Sequence, residues 1–362
     1  PQTRLLRLKE LTDNEMLVGI RSGIIDLAAQ SGEKFSELKA YNSNGEITGD
    51  VITTRAIDDL AYGYIGISAK NVNVGGDPSS AASKNLRKAF ATIFSVNRDT
   101  AIEYYYVDAA SVINYPISNT SWAAPQKADA GYQVAYSTDV NKKPVYTADM
   151  TGQAKLDAAL EAAIGFFKAA GYTFDEASGQ FTAAPAGAKL EYEIIIPAYG
   201  VGAHPAFAIL TDSRDQLAKI GITLKIKDVP DSNVLLDSLN ALSQEMWAAA
   251  WSAPVDMDIC NAYHSSKTVD GTEPKTNYYY IKDSVLDEAI MTARKSVDQA
   301  YQKATYKKAL DIILDWGVEI PTYQRKNLVA FSTQRINMDT VTPGITTHWD
   351  WTQDVEKVEM NQ

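Results

Sequence analysis

The stretch that decides the fold runs from Leu190 to Trp251. It reads LEYEIIIP (190–197), HPAFAILTDSRDQLAKIG (204–221), ITLKIKD (222–228), DSNVLLDSLNAL (231–242) and MWAAAW (246–251). Apolar runs of strand length alternate with longer stretches whose apolar residues recur at helical spacing. Gly221 stands where the first of those helices should stop. The predicted order is strand 190–196, helix 205–219, strand 222–226, helix 232–242 and strand 246–251. This β-α-β-α-β order is the mark of an open α/β sheet, in which ligands lie at the carboxyl ends of the strands.

The last of these strands leaves through Pro254 into a polar segment. MWAAAWSAPVDMDICNAYH (246–264) carries Trp247 and Trp251 at even spacing on one face, then Asp256, Asp258, Cys260, Tyr263 and His264. An apolar strand that ends in aromatic, acidic and hydroxyl groups is one way a scaffold presents a ligand at a cleft. It also reads as a core strand leaving through a polar turn, because tryptophan is mostly buried and aspartate is common in turns. Asp256 and Asp258 fit three roles: an acid–base pair, ligands of a hard cation beside Ser265 and Ser266, or caps of a short helix at 259–263. No companion nucleophile or base accompanies them, which favours binding of an amine or hydroxyl over catalysis.

Upstream, Thr12 or Asp13 caps a predicted helix over 14–21 that Gly23 stops, and a second short helix follows within 31–41. Residues 50–57 and 60–68 read as two strands. The second carries Tyr62 and Tyr64 around Gly63 and Gly66, glycines that point to a bulge or the close approach of another backbone. Helices are predicted at 79–96, 99–107 and 155–170. Between them, 108–150 has no period and holds Pro116, Pro125 and Pro144. It reads as a long excursion packed by Trp122 and tyrosines. A hairpin is expected around Pro185–Gly187, with 190–196 as its second strand. Helices at 284–296 and 298–316, strands at 318–324 and 327–333, and an aromatic tail complete the chain.

Composition narrows the function. Of 362 residues, 45% are hydrophobic and 22% charged, as in ordinary soluble proteins. No apolar run is long enough to span a bilayer. The net charge of −11 argues against nucleic acid as a partner. A single cysteine, Cys260, excludes an internal disulfide. Twenty tyrosines and six tryptophans against three histidines favour stacking and hydrogen bonding over acid–base or metal chemistry. His204, His264 and His348 are far apart in sequence, and phosphate-loop, HExxH, CxxC and nucleophile-elbow motifs are missing. No cofactor and no metal site is indicated.

Several segments in order resemble the oligopeptide/dipeptide-binding family of solute-binding proteins of bacterial ABC importers. They are NEMLVGIRSGIIDLA (14–28), GYIGIS (63–68), LRKAFATIFSVNRDTAI (86–102), AAIGFFKAAGYTF (162–174), MWAAAWSAPVDMD (246–258) and YKKALDIILDWGVEIPTYQRKNLVAFSTQRIN (306–337). The tail wording, EIPTYQRKN and THWDW, is similar to that of oligopeptide-binding lipoproteins of Gram-positive bacteria. Two departures matter: Pro254 stands where family members that hold a peptide's α-amine place an aspartate, and the first-lobe segment that the family pattern expects ahead of residue 1 is not in this sequence, so the resemblance implies a fragment with half of the cleft.

The resemblance implies an α/β, periplasmic-binding-protein-like (type II) lobe with a mixed central sheet flanked by helices. Residues 1–330 would form the second lobe, and 331–362 the segment that returns to a first lobe. It implies a non-catalytic binder of an extended oligopeptide, delivered in closed form to ABC permease subunits. The site would lie on the extracellular face of the membrane, lipid-anchored in a longer parent protein, or in the periplasm; signal and anchor are absent from this sequence. The implied ligand contacts are Ala249, Trp251, Ser252, Ala253, Asp256, Asp258, Tyr263 and His264, with Tyr62 and Tyr64 in the same lobe. Open alternatives are a carboxylate-dependent hydrolase using Asp256 and Asp258, and a binder of another solute such as an oligosaccharide. The apolar tail, with Ile336, Val341, Ile345, Trp349, Trp351 and Val355, is expected either to fold back or to form a homodimer.

Overall fold

The computed structural model describes residues 6–252, 258–271 and 275–361. The chain divides into two compact units. The first comprises Pro1–Leu60, Ile102–Ser111 and Gln324–Gln362; the second comprises Ala61–Ala101 and Val112–Tyr323. The strands are β1 (Leu27–Ser31), β2 (Ile52–Ile67), β3 (Ala110–Val112), β4 (Thr173–Asp175), β5 (Gln180–Ala183), β6 (Glu191–Ile196), β7 (Thr223–Asp228), β8 (Met246–Trp251) and β9 (Glu319–Ser332).

In the second unit the sheet order is β9-β2-β8-β6-β7. β6 runs parallel to β7 and β8, whereas β2 runs antiparallel to β8, so the sheet is mixed. The helices Phe207–Lys219 and Ser232–Ala241 connect β6 to β7 and β7 to β8, as the alternation of apolar runs predicts. Gly221 ends the first of them at φ +78°. Ile65, Ile67, Ile194, Ile196, Met246 and Ala248 bury one face of the sheet beneath helices Ala81–Ser95, Gly152–Ala169 and Phe207–Lys219. Tyr62, Tyr64, Ile195 and Trp247 bury the other face with helices Ser284–Lys295 and Gln299–Trp316. This alternation of faces along each strand is the two-residue period of β structure.

Three expectations are corrected. The strands predicted at 50–57 and 60–68 are one strand, β2, and those at 318–324 and 327–333 are one strand, β9. Asp58 and Asp59 do not break β2, because neighbouring β9 continues past them. The Asp59 carbonyl accepts from Gln324 Nε2 at 2.6 Å and its carboxylate pairs with Arg325 at 3.1 Å. The hairpin forms between β4 and β5, not around Pro185–Gly187. Asp175 accepts from the Ala177 N–H at 3.1 Å and from Ser178 Oγ at 2.6 Å, and Gly179 takes φ +71°, which together close that turn. β6 is thereby released into the main sheet. Finally, Trp122 is half exposed, whereas the expected tyrosines do pack the excursion: Tyr115 is buried with Ile113, Ile117, Ala123 and Ala124, and Tyr132 packs against them.

The glycines of β2 are needed for rings rather than for another backbone. A Cβ on Gly66 would stand 2.3 Å from the Trp247 indole, and one on Gly63 would stand 2.1 Å from the Tyr323 ring. Gly66 lies directly opposite Trp247 in the ladder, so the buried indole lies across it.

In the first unit β1 pairs antiparallel with β9, from Leu27↔Phe331 to Ser31↔Asn327. Thr12 caps the helix Asp13–Ser22 through a reciprocal bond with Glu15, and Gly23 closes it in the left-handed region. The tail packs within this unit. Ile336 bridges to Met360, and Ile57, Val329, Phe331, Ile336 and Val341 form a buried cluster against which Trp351 and Val358 pack.

Gly66→Ala should destabilise the protein by about 1–3 kcal/mol, the usual cost of overpacking a closed core. Urea unfolding followed by tryptophan fluorescence would measure it, and an unchanged midpoint would show that the Trp247 ring moves freely.

Candidate functional site

The two backbone edges of β8 are used differently. On one edge every residue from Met246 to Trp251 pairs with β2. On the other, β6 pairs only with Met246 and Trp247. Pro197 follows the last residue of β6 and has no N–H with which to continue the ladder. The bond from Ser68 N–H to the Glu245 carbonyl fixes the alternation along β8. Residues 247, 249 and 251 turn their backbone groups towards β2, and 246, 248 and 250 turn theirs away. Ala250 therefore offers an N–H and a C=O on an edge that β6 has already left. Ala250 and Ser252 are exposed.

Because β6 and β8 are parallel, the loop after β6 lies at the same end of the sheet. The Asp228 carboxylate accepts the N–H groups of Ala198 (2.9 Å), Gly200 (3.0 Å) and Gly202 (2.9 Å). This pins a loop that holds Tyr199 at φ +60° and 69% exposed, with Val201 two residues on 79% exposed. Sequence reasoning missed both residues. Their only signal is the pair of glycines after a strand-ending proline.

Beneath the edge lies an aromatic cluster. Tyr62 stands opposite Trp251, and Tyr64 opposite Ala249. The half-buried Trp251 ring is near-parallel to Tyr64 (5.8 Å between centroids) and to Tyr278 (6.3 Å). Trp247 Nε1 donates to the Tyr64 hydroxyl at 3.1 Å, and Trp251 Nε1 donates to the Tyr279 hydroxyl at 3.0 Å. At the bottom is Glu319, fully buried on β9. Its Oε2 accepts from Tyr263 at 2.6 Å and also from Tyr279. Its Oε1 accepts from none of the described residues. Burial raises the Glu319 carboxyl from its ordinary 4.5 to about 7, against the opposing pull of Tyr263, Tyr279, Tyr62 and Trp251. Burial also pushes the hydroxyls of Tyr62, Tyr64, Tyr263 and Tyr279 above their ordinary range.

The structure thus brings Tyr62, Tyr64, Ala249, Trp251 and Tyr263 together. Tyr62, Tyr64 and Tyr263 are buried rather than set on an exposed face, since the polar end of Tyr263 is drawn inward to Glu319. Asp258 is occupied elsewhere: it accepts from the Cys260 N–H at 3.0 Å and pairs with Arg294 at 3.5 Å. His264 Nδ1 accepts from the Ser266 N–H at 3.1 Å and lies 3.8 Å from Asp287. Ala253 and Asp256, like Pro254, lie outside the described residues. Glu319 and Tyr279 were not foreseen. A lone glutamate inside VEIPTY, an otherwise apolar strand opening, is the signal that marks the first.

Comparison with known proteins fits this architecture. The family model described as bacterial extracellular solute-binding proteins, family 5 Middle, matches residues 7–272. The chain belongs to this family of solute-binding proteins. Its mixed α/β architecture is the periplasmic-binding-protein-like fold of solved relatives. One is the oligopeptide-binding protein AppA from Bacillus subtilis in complex with a nonapeptide, at 18% identity and a TM-score of 0.62 over 97% of this chain and 59% of that one. Another is DppA from Helicobacter pylori in complex with the peptide STSA, at 19% identity and a TM-score of 0.60 over 97% and 55%. A third is NikZ from Campylobacter jejuni in complex with Ni(L-His), at 17% identity and a TM-score of 0.63 over 96% and 60%. The chain therefore spans less than two thirds of the length of these structures. No curated protein is matched by the sequence. Among the described residues no helix is long and apolar enough to cross a membrane.

The raised carboxyl of Glu319 carries a stability signature. A folded-state value above the unfolded one favours the fold fully below about pH 4.5, and that contribution is lost as pH rises through about 7. By pH 8 the buried charge should cost on the order of 3 kcal/mol. Glu319→Gln should therefore differ little from the wild type at pH 5 and be the more stable of the two at pH 8. Urea unfolding at the two pH values checks this; equal wild-type and variant slopes against pH would rule it out.

Proposed function

We propose that this chain binds an extended peptide along the free edge of β8. The observation that carries the reading is the backbone of Ala250, which among the described residues turns away from β2 and lies beyond the end of the β6 pairing, at the end of the sheet where the Tyr199 loop follows β6. A peptide laid there gains main-chain hydrogen bonds that do not depend on its sequence. The tyrosine and tryptophan surface adds contact area and polar tips without demanding a charge. Two solved relatives hold a nonapeptide and the peptide STSA, which supports the peptide reading, while another holds Ni(L-His) and makes that complex the competing ligand to test.

In this reading the protein is the solute-binding subunit of an ABC importer and performs no catalysis. It works on the extracellular face of the membrane, lipid-anchored, or in the periplasm, and hands its closed, loaded form to the permease. The hydrolase alternative gains nothing from Asp258, whose carboxylate caps a backbone N–H and pairs with Arg294.

Calorimetric titration with trialanine and with a nonapeptide should detect binding, and Ala250→Pro should weaken it by about tenfold or more by removing the edge N–H. Ala250→Pro should leave the circular dichroism unchanged, because residue 250 does not bond to β2. Binding of Ni(L-His) but neither peptide, or full affinity in Ala250→Pro, would refute the proposal.

A further inference from the structure

Glu319 lies beneath the binding strand and does not reach its surface, yet it is connected to Trp251 by one intervening group. Trp251 Nε1 donates to the Tyr279 hydroxyl at 3.0 Å, and that hydroxyl donates to Glu319 Oε2. A tyrosine has a single hydroxyl proton. With that proton committed to Glu319, the oxygen's lone pair must face Trp251. The direction of this chain is thus set from its buried end. We infer that Glu319 is a positioning residue for the Trp251 end of the binding strand, acting through Tyr279; the inference rests on β8 being the ligand edge.

The distribution of donors makes the positioning sensitive to protonation. Oε2 receives two hydroxyls, while Oε1 receives none from the described residues. A proton on Oε1 leaves both tyrosine bonds as they are. Its loss leaves a bare anionic oxygen in an aromatic wall, a state that draws in water. Tyr62, Tyr64, Tyr263 and Tyr279 are all buried, whereas Trp251 is only half-buried and is the ring of this group most open to solvent. The backbone of Trp251 is tied to β2, so its ring is the part left to move.

Few other charges intervene. β2 presents Tyr62 and Tyr64 to the carboxyl, helix Cys260–Tyr263 presents Tyr263, and the segment before Asp283 presents Tyr279. The excursion contributes Tyr136, whose hydroxyl donates to Glu319's own carbonyl at 2.6 Å. Burial holds each of these phenols above its ordinary range, far from neutral pH. Arg98 and Arg87 bind the carbonyls of Pro321 and Trp316, and burial lowers them only to about 10 and about 9. Within this set Glu319 is the group that changes charge near neutrality, at about 7.

The test reads Trp251 directly. Its emission is taken as the difference between wild-type and Trp251→Phe spectra from about pH 5 to pH 9, a range that brackets the ordinary and raised carboxyl values. The difference emission should titrate near neutral pH, become flat in Glu319→Gln, and be displaced at every pH in Tyr279→Phe, which cuts the link without removing the ring. Trialanine should bind Tyr279→Phe about fivefold more weakly than wild type, the size of one lost hydrogen bond. A flat wild-type signal, or the same titration in Glu319→Gln, overturns the inference even if peptide binds. Equal trialanine affinity in Tyr279→Phe overturns it as well. If the titration is found but no peptide binds the wild type, the peptide reading fails and the hold of Glu319 on Trp251 stands.

Discussion

The second unit depends on the antiparallel ladder between Tyr62–Ile67 of β2 and Met246–Trp251 of β8. It joins segments some 183 residues apart, and almost every feature of the site follows from its register. Pairing Gly66 with Trp247 gives the indole a place to lie, which no residue with a Cβ would allow. Pairing Tyr64 with Ala249 and Tyr62 with Trp251 puts two phenols and two indoles on one face. A shift of one residue would turn those rings to the opposite, aliphatic face and dissolve both cores.

A second constraint comes from buried charge. Arg87 is fully buried and, among the described residues, pairs with no carboxylate; it donates to the carbonyls of Trp316 (2.7 Å), Val72 (3.0 Å) and Pro78 (2.8 Å). Arg98 likewise reaches the carbonyls of Ser95 (3.2 Å) and Ile113 (3.0 Å), and that of Pro321. These contacts tie the helical layer and the start of the long excursion to β9. A guanidinium suits this task, since its fork spans several carbonyls at once. The stretch without periodicity is therefore anchored at its root, and its Tyr136 closes the circle by donating to the carbonyl of Glu319. Removing any of these partners would leave a buried charge or dipole unpaired, which costs more than the bond itself contributes.

The site combines a generic element with a specific one. On the proposed ligand edge the backbone of Ala250 would ask nothing of a ligand's side chains, and Asp228 holds the loop of the exposed Tyr199 and Val201 in place before any ligand arrives. Such preorganisation lowers the entropic cost of binding. Beneath it, the network from Trp251 through Tyr279 to Glu319 gives the strand end a fixed ring orientation. Solved structures that share this fold hold a nonapeptide in one case and Ni(L-His) in another, so the fold alone does not name the ligand.

The sequence by itself determined the alternation of strands and helices from residue 190 to 251, the helix stops at Gly23 and Gly221, and the family. Those are local: spacing of apolar residues, capping chemistry and left-handed glycines act within a few residues. It also marked Trp251, Tyr62 and Tyr64, because aromatic residues at even spacing on a strand share a face. Tertiary structure alone decided that Asp58 and Asp59 stay inside one long strand, since the partner that keeps them extended lies some 265 residues away. It decided that Tyr263 turns inward, that Asp258 is spent on Cys260 and Arg294, and that Ala250 rather than Ala249 faces the open edge. Strand neighbours, hydrogen-bond parity and the burial of Glu319 are set by contacts between distant segments, and no local pattern encodes them.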